Sequence, residues 1–91
     1  MARSTKTMER ITIDPDPAQA GQDAKICYDF SGLSLTSVTI KIEWKPDTIQ
    51  DQEIILTPEA PCVVVKVPVG ASGGFLIDQS GNSDTLGFLV G

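Results

Sequence analysis

Histidine is absent from the 91 residues, and with it go Ser-His-Asp and Cys-His nucleophile activation, imidazole metal ligation and the commonest general base near neutral pH. Most hydrolytic mechanisms lose their base. A glycine-rich phosphate cradle is missing as well, because Gly70, Gly73 and Gly74 are followed neither by Lys-Ser/Thr nor by a helical period, which argues against nucleotide chemistry. No apolar run approaches the roughly 20 residues of a membrane-spanning helix, so membrane insertion by a helix is not expected. Aromatic residues make up only 5% of the chain. Tyr28 and Trp44 share parity with the aliphatic residues of their stretches, which assigns them to a core and leaves a sugar-stacking platform without its usual rings.

What is present describes a folded domain. Hydrophobic residues reach 41% and charged residues only 21%, too apolar a balance for disorder and enough for one modest core. We expect residues 1–8 to form a flexible N-terminal arm and residues 9–91 a single domain. Charge is unevenly spread: Arg3, Lys6 and Arg10 against Glu9 give +2 over the first ten residues, and the rest of the chain carries −7, for a net −5. An acidic body repels a phosphate backbone, so no nucleic-acid partner is expected. Met1 to Thr7 leads into no apolar segment of the secretory type, and the compartment stays open.

Apolar and polar residues alternate with a period of two along most of the sequence. Val38, Ile40, Ile42 and Trp44, with Thr39, Lys41 and Glu43 between them, form the clearest instance, a strand with one buried and one wet face. The same period runs through Ile11 and Ile13, through Ala24, Ile26, Tyr28 and Phe30, and through Val63, Val65 and Val67. Fainter stretches cover Gln52 to Thr57, Gly74 to Asp78 (Phe75 with Ile77) and Leu86 to Val90 (Leu86 with Phe88 and Val90). Turn-forming Gly, Pro, Asn, Asp and Ser separate them at short intervals, and no window carries a 3.6-residue stripe. Seven short half-apolar strands bury their faces by packing as two sheets face to face. Leu89 adds an apolar residue on the second face of the last stretch, so it should be covered by another element or by another subunit.

The opening Ile11-Thr12-Ile13-Asp14-Pro15-Asp16-Pro17, then Gly21, Lys25 to Phe30 and Val38 to Trp44, resembles an immunoglobulin-like or fibronectin-III-like β-sandwich module of bacterial surface or accessory proteins. The resemblance implies a seven-stranded antiparallel Greek-key sandwich. The first, second and fifth strands, with the fourth optionally beside them, would face the third, sixth and seventh. It further implies a non-enzymatic structural or interaction module, a spacer, subunit or adhesion-type domain, that meets a protein partner or another copy of itself through loops or a sheet edge. An extracellular or cell-surface setting would follow if the chain is an excised domain. By parity Cys27 and Cys62 point away from the core. In the implied topology their strands are neighbours, so the two thiols either form a cross-strand disulfide on the outer face or stay free in a reducing compartment.

One further motif invites a ligand. Asp78-Gln79-Ser80-Gly81-Asn82-Ser83-Asp84 places oxygen-bearing side chains at alternate positions, and Asp78, Asn82 and Asp84 are weak candidates for a hard cation such as calcium. An EF-hand loop has Gly sixth and Glu twelfth, whereas Gly81 is fourth and Leu89 twelfth, and the same residue types suit a hairpin tip. We therefore expect no metal, cofactor or catalytic residues. The alternative is a carbohydrate- or calcium-binding module that uses Ser31, Ser34, Asp78, Asn82 and Asp84. Asp14, Asp16, Asp47 and Asp51 form a second acidic group expected as solvated loop charge.

Overall fold

The two-residue period becomes seven strands in a computed structural model that describes residues 10–79 and 85–91. They are β1 (Ile11–Asp14), β2 (Asp23–Tyr28), β3 (Val38–Lys45), β4 (Gln52–Leu56), β5 (Cys62–Lys66), β6 (Gly73–Asp78) and β7 (Thr85–Leu89), and no helix occurs among the described residues. All pairings are antiparallel, in one sheet of order β1-β2-β5 and another of order β4-β3-β6-β7. The expected N-terminal arm lies outside the described residues.

The core forms where the two inner faces meet. Ile11, Ile13, Ala24, Ile26 and Val65 come from the smaller sheet, and Ile40, Ile42, Trp44, Leu56, Leu76 and Phe88 from the larger; all are buried. Strand β3 alternates buried and half-buried residues over its whole length, as a central strand with one wet face must. Trp44 meets Phe88 edge-to-face with ring centres 5.7 Å apart, the preferred arrangement for two quadrupoles.

Two strands depart from the expectations. Strand β4 lies beside β3 instead of beside β5, in the register Val38↔Leu56 to Ile42↔Gln52. The short link between Lys45 and Gln52 returns the chain directly onto its own predecessor, the cheapest pairing for consecutive strands. Strand β6 has the opposite parity from that expected. Leu76 is fully buried, Phe75 is 41% exposed and Ile77 is half-buried. Gly74 explains the inversion. It stands opposite Trp44 in the register, and a Cβ there would collide with the Glu43 carbonyl oxygen and lie 2.9 Å from Phe88 Cζ. Only a residue without a side chain fits between the Glu43 carbonyl and the Phe88 ring, so Gly74 and Leu76 face inward and Phe75 faces out.

The same parity turns Asp78 into the sandwich. It is 4% exposed, and Tyr28 of the opposite sheet donates its hydroxyl to Asp78 Oδ2 at 2.7 Å. A carboxylate taken out of water needs such donors. Replacing Tyr28 with Phe removes this one while keeping the ring, and should cost about 1–3 kcal/mol in urea unfolding; a change under about 0.5 kcal/mol would show that the bond contributes little.

After β1 the chain passes Asp14-Pro15 and Asp16-Pro17, both cis, and reaches the other sheet. Ala18 forms a parallel bridge to Val90, donating to the Leu89 carbonyl at 3.0 Å and accepting from Gly91 N at 2.7 Å. Gly21 then adopts φ +78°, a left-handed conformation natural to glycine, and donates its N–H to Val67 at 2.8 Å.

Candidate functional site on the outer face of the larger sheet

Outward positions on β3 carry Lys41, Glu43 and Lys45 at every second residue, and the β3–β4 turn adds Asp47 and Asp51. Lys41 Nζ lies 3.3 Å from Glu43 and 3.5 Å from Asp51, and Lys45 Nζ lies 2.6 Å from Asp47. Hydrogen bonding to Glu43 raises the Lys41 pKa above its ordinary value, and hydrogen bonding to Asp47 does the same for Lys45. These pairs are exposed to solvent and so contribute little to stability. What they shape is a recess of about 210 Å³ lined by Glu43, Lys45, Asp47 and Asp51. Asp14 and Asp16 do not line it.

Beside this polar recess the surface turns apolar. Phe75 stands between Glu43 on β3 and Gly87 on β7 in the registers. A Cβ on Gly87 would lie 3.3 Å from Phe75 Cε1, so the glycine leaves the ring room to lie against the next strand. Lys45 Nζ is 5.9 Å from the ring centre, within reach of the attraction between a cation and an aromatic face. Leu89, opposite Gly73, is 70% exposed. No element among the described residues covers it.

Of the residues named for a metal or sugar site, Ser31, Ser34 and Asp78 lie among the described residues. Asp78 is held in the core by Tyr28, while Asn82 and Asp84 lie outside the described residues. Ser31 is engaged locally: its Oγ and N–H both donate to Asp29 Oδ1, at 2.7 and 2.9 Å. Those two donors hold the Asp29 carboxyl below its ordinary pKa of 3.8. Arg10 braces the same turn through the Asp29 and Ser31 carbonyls, at 3.0 and 2.7 Å. Ser34 is exposed in the same connection. Trp44 and Tyr28 are buried, each 2% exposed. Among the described residues no three His, Cys, Asp or Glu side chains group as metal ligands.

On the other outer face, Cys27 and Cys62 stand opposite each other in the β2–β5 register and are joined as a disulfide, Cα atoms 4.0 Å apart. The adjacent bond from Tyr28 N to the Pro61 carbonyl, 2.9 Å, places the cysteines at a non-hydrogen-bonded position, where facing side chains come closest.

The chain matches no protein-family model, no curated protein and no solved structure.

The alternation singles out Leu89 but not Phe75, because pairing Phe75 with Ile77 sets the opposite parity for the sixth strand. The signal was present in Gly73-Gly74: two glycines entering a strand often mark a close approach of another backbone or ring.

Proposed function

We propose that this chain is a non-enzymatic interaction module, an immunoglobulin-like Greek-key sandwich that meets a protein partner through its larger sheet. The observation that carries the reading is the exposure of Phe75 and Leu89 on one outer face, at 41% and 70%. Large apolar side chains grouped on a surface, at the border of a polar recess, are what a partner interface needs at its centre and rim. Support for the Greek-key part comes from the grouping of the first, second and fifth strands against the third, sixth and seventh, the division found in immunoglobulin-like domains. The non-enzymatic part draws on the lack of any histidine and on the burial of Asp78 against Tyr28, which takes that carboxyl away from a substrate in solution.

Calcium separates this reading from a metal-binding module. The melting temperature should stay within about 1 °C between chelator and millimolar calcium, since a ligand that does not bind the folded state cannot stabilise it. A rise of several degrees would overturn the reading.

A further inference from the structure

We infer that the outer face of the larger sheet docks an extended segment of a partner protein in which an apolar side chain stands two residues from a lysine or arginine, the spacing at which side chains of a strand share a face. The apolar side chain packs on Phe75 and Leu89, and the cation enters the recess that Glu43, Asp47 and Asp51 line together with Lys45. The inference rests on the interaction-module reading and adds the chemistry of the partner.

Adjacency is the first argument. Phe75 and Glu43 are direct cross-strand partners, a spacing of about 5 Å between side chains, and same-face side chains of a bound extended segment, two residues and about 6.6 Å apart, span from ring to carboxylate. The protein's own Lys45 shows what that junction accepts: its ammonium lies 2.6 Å from Asp47 and 5.9 Å from the Phe75 ring centre. A partner cation that displaces Lys45 from the junction would find the same two attractions.

Charge is the second argument. Lys41 and Lys45 already pair with Glu43, Asp51 and Asp47, and Glu53 stands opposite Lys41 in the register. Four carboxylates against two ammonium groups leave this face acidic, on a chain whose net charge is −5. An acidic surface attracts a basic segment and repels a second copy of itself. Addition at the β7 edge is restricted in turn, because Ala18 already bridges Val90 there. A segment lying across the face meets no such obstruction.

The test uses the intact, disulfide-bonded chain labelled with ¹⁵N and two synthetic peptides of about nine residues. One carries Val-Thr-Lys flanked by Ser and Thr; the other carries Val-Thr-Glu in the same frame. The lysine peptide should shift the amide resonances of Glu43, Phe75, Gly87 and Leu89. It should bind about 10-fold tighter than the glutamate peptide and weaken as salt rises from about 0.05 to about 0.5 M. Phe75→Ser with Leu89→Ser should weaken it at least about 10-fold. Equal binding of both peptides, or shifts confined to the β1-β2-β5 face, would overturn the proposal. If neither peptide binds but the solution mass rises with concentration and Leu89→Asp abolishes the rise, the occupant is a second copy; the proposal then falls and the interaction-module reading stands. If neither peptide binds and the protein stays monomeric with and without Leu89→Asp, both fall.

Discussion

Replacing Cys27 and Cys62 together with alanine is expected to lower the stability of the domain by about 4 kcal/mol. The two residues are 35 apart in sequence, and closing a loop of that length removes conformational entropy from the unfolded chain without adding a native contact. Little packing is lost on substitution, because both cysteines lie half-buried on the outer face and not among the core residues. The loss should therefore come almost wholly from the missing cross-link. For a domain of this size it corresponds to a fall in melting temperature of roughly 15–30 °C. Urea unfolding of the doubly substituted protein, compared with the parent without reductant, measures it; a difference under about 1 kcal/mol would mean that the bond does not constrain the unfolded chain. The position of the bond adds a local consequence. Strand β5 is the outer strand of its sheet and pairs only with β2, so without the link it depends on its backbone ladder and on Val65 and Val67 in the core.

Strand β3 shows how far the sequence can be read directly. Its eight residues alternate without interruption, and the buried set is the one that the alternation names, Val38, Ile40, Ile42 and Trp44. Strand β6 shows where such reading stops. Phe75, Leu76 and Ile77 are apolar at consecutive positions, so a period of two fits either parity and the larger total hydrophobicity selects the wrong one. The deciding constraints are tertiary. The Glu43 carbonyl and the Phe88 ring leave space for no side chain at position 74, and Tyr28, 50 residues from Asp78, supplies the donor that lets the carboxylate enter the core. The first leaves a local trace only in the Gly73-Gly74 pair, and the second has no local signature. Asp78 also begins a run of loop-forming residues, which is why it reads as a loop ligand until its partner is seen. The acidic recess is hidden for a similar reason: Glu43, Asp47 and Asp51 are separated by turn residues and meet only because the β3–β4 hairpin folds them together. The outward direction of Cys27 and Cys62 follows from parity alone, but their pairing depends on which strands become neighbours.

The central claim is that β6 presents Leu76 to the core and Phe75 to solvent, since that choice of parity creates the outer apolar surface on which the functional reading depends. Two single substitutions test it side by side. Leu76→Ser removes a fully buried side chain and leaves a hydroxyl in an apolar cavity, at an expected cost of about 3–5 kcal/mol. Phe75→Ser removes a ring that lies on the surface against Gly87 and should change stability by no more than about 1 kcal/mol. Urea unfolding of both variants under identical conditions is the decisive measurement: the account predicts a large loss for Leu76→Ser and a small one for Phe75→Ser, and the reverse order would contradict it.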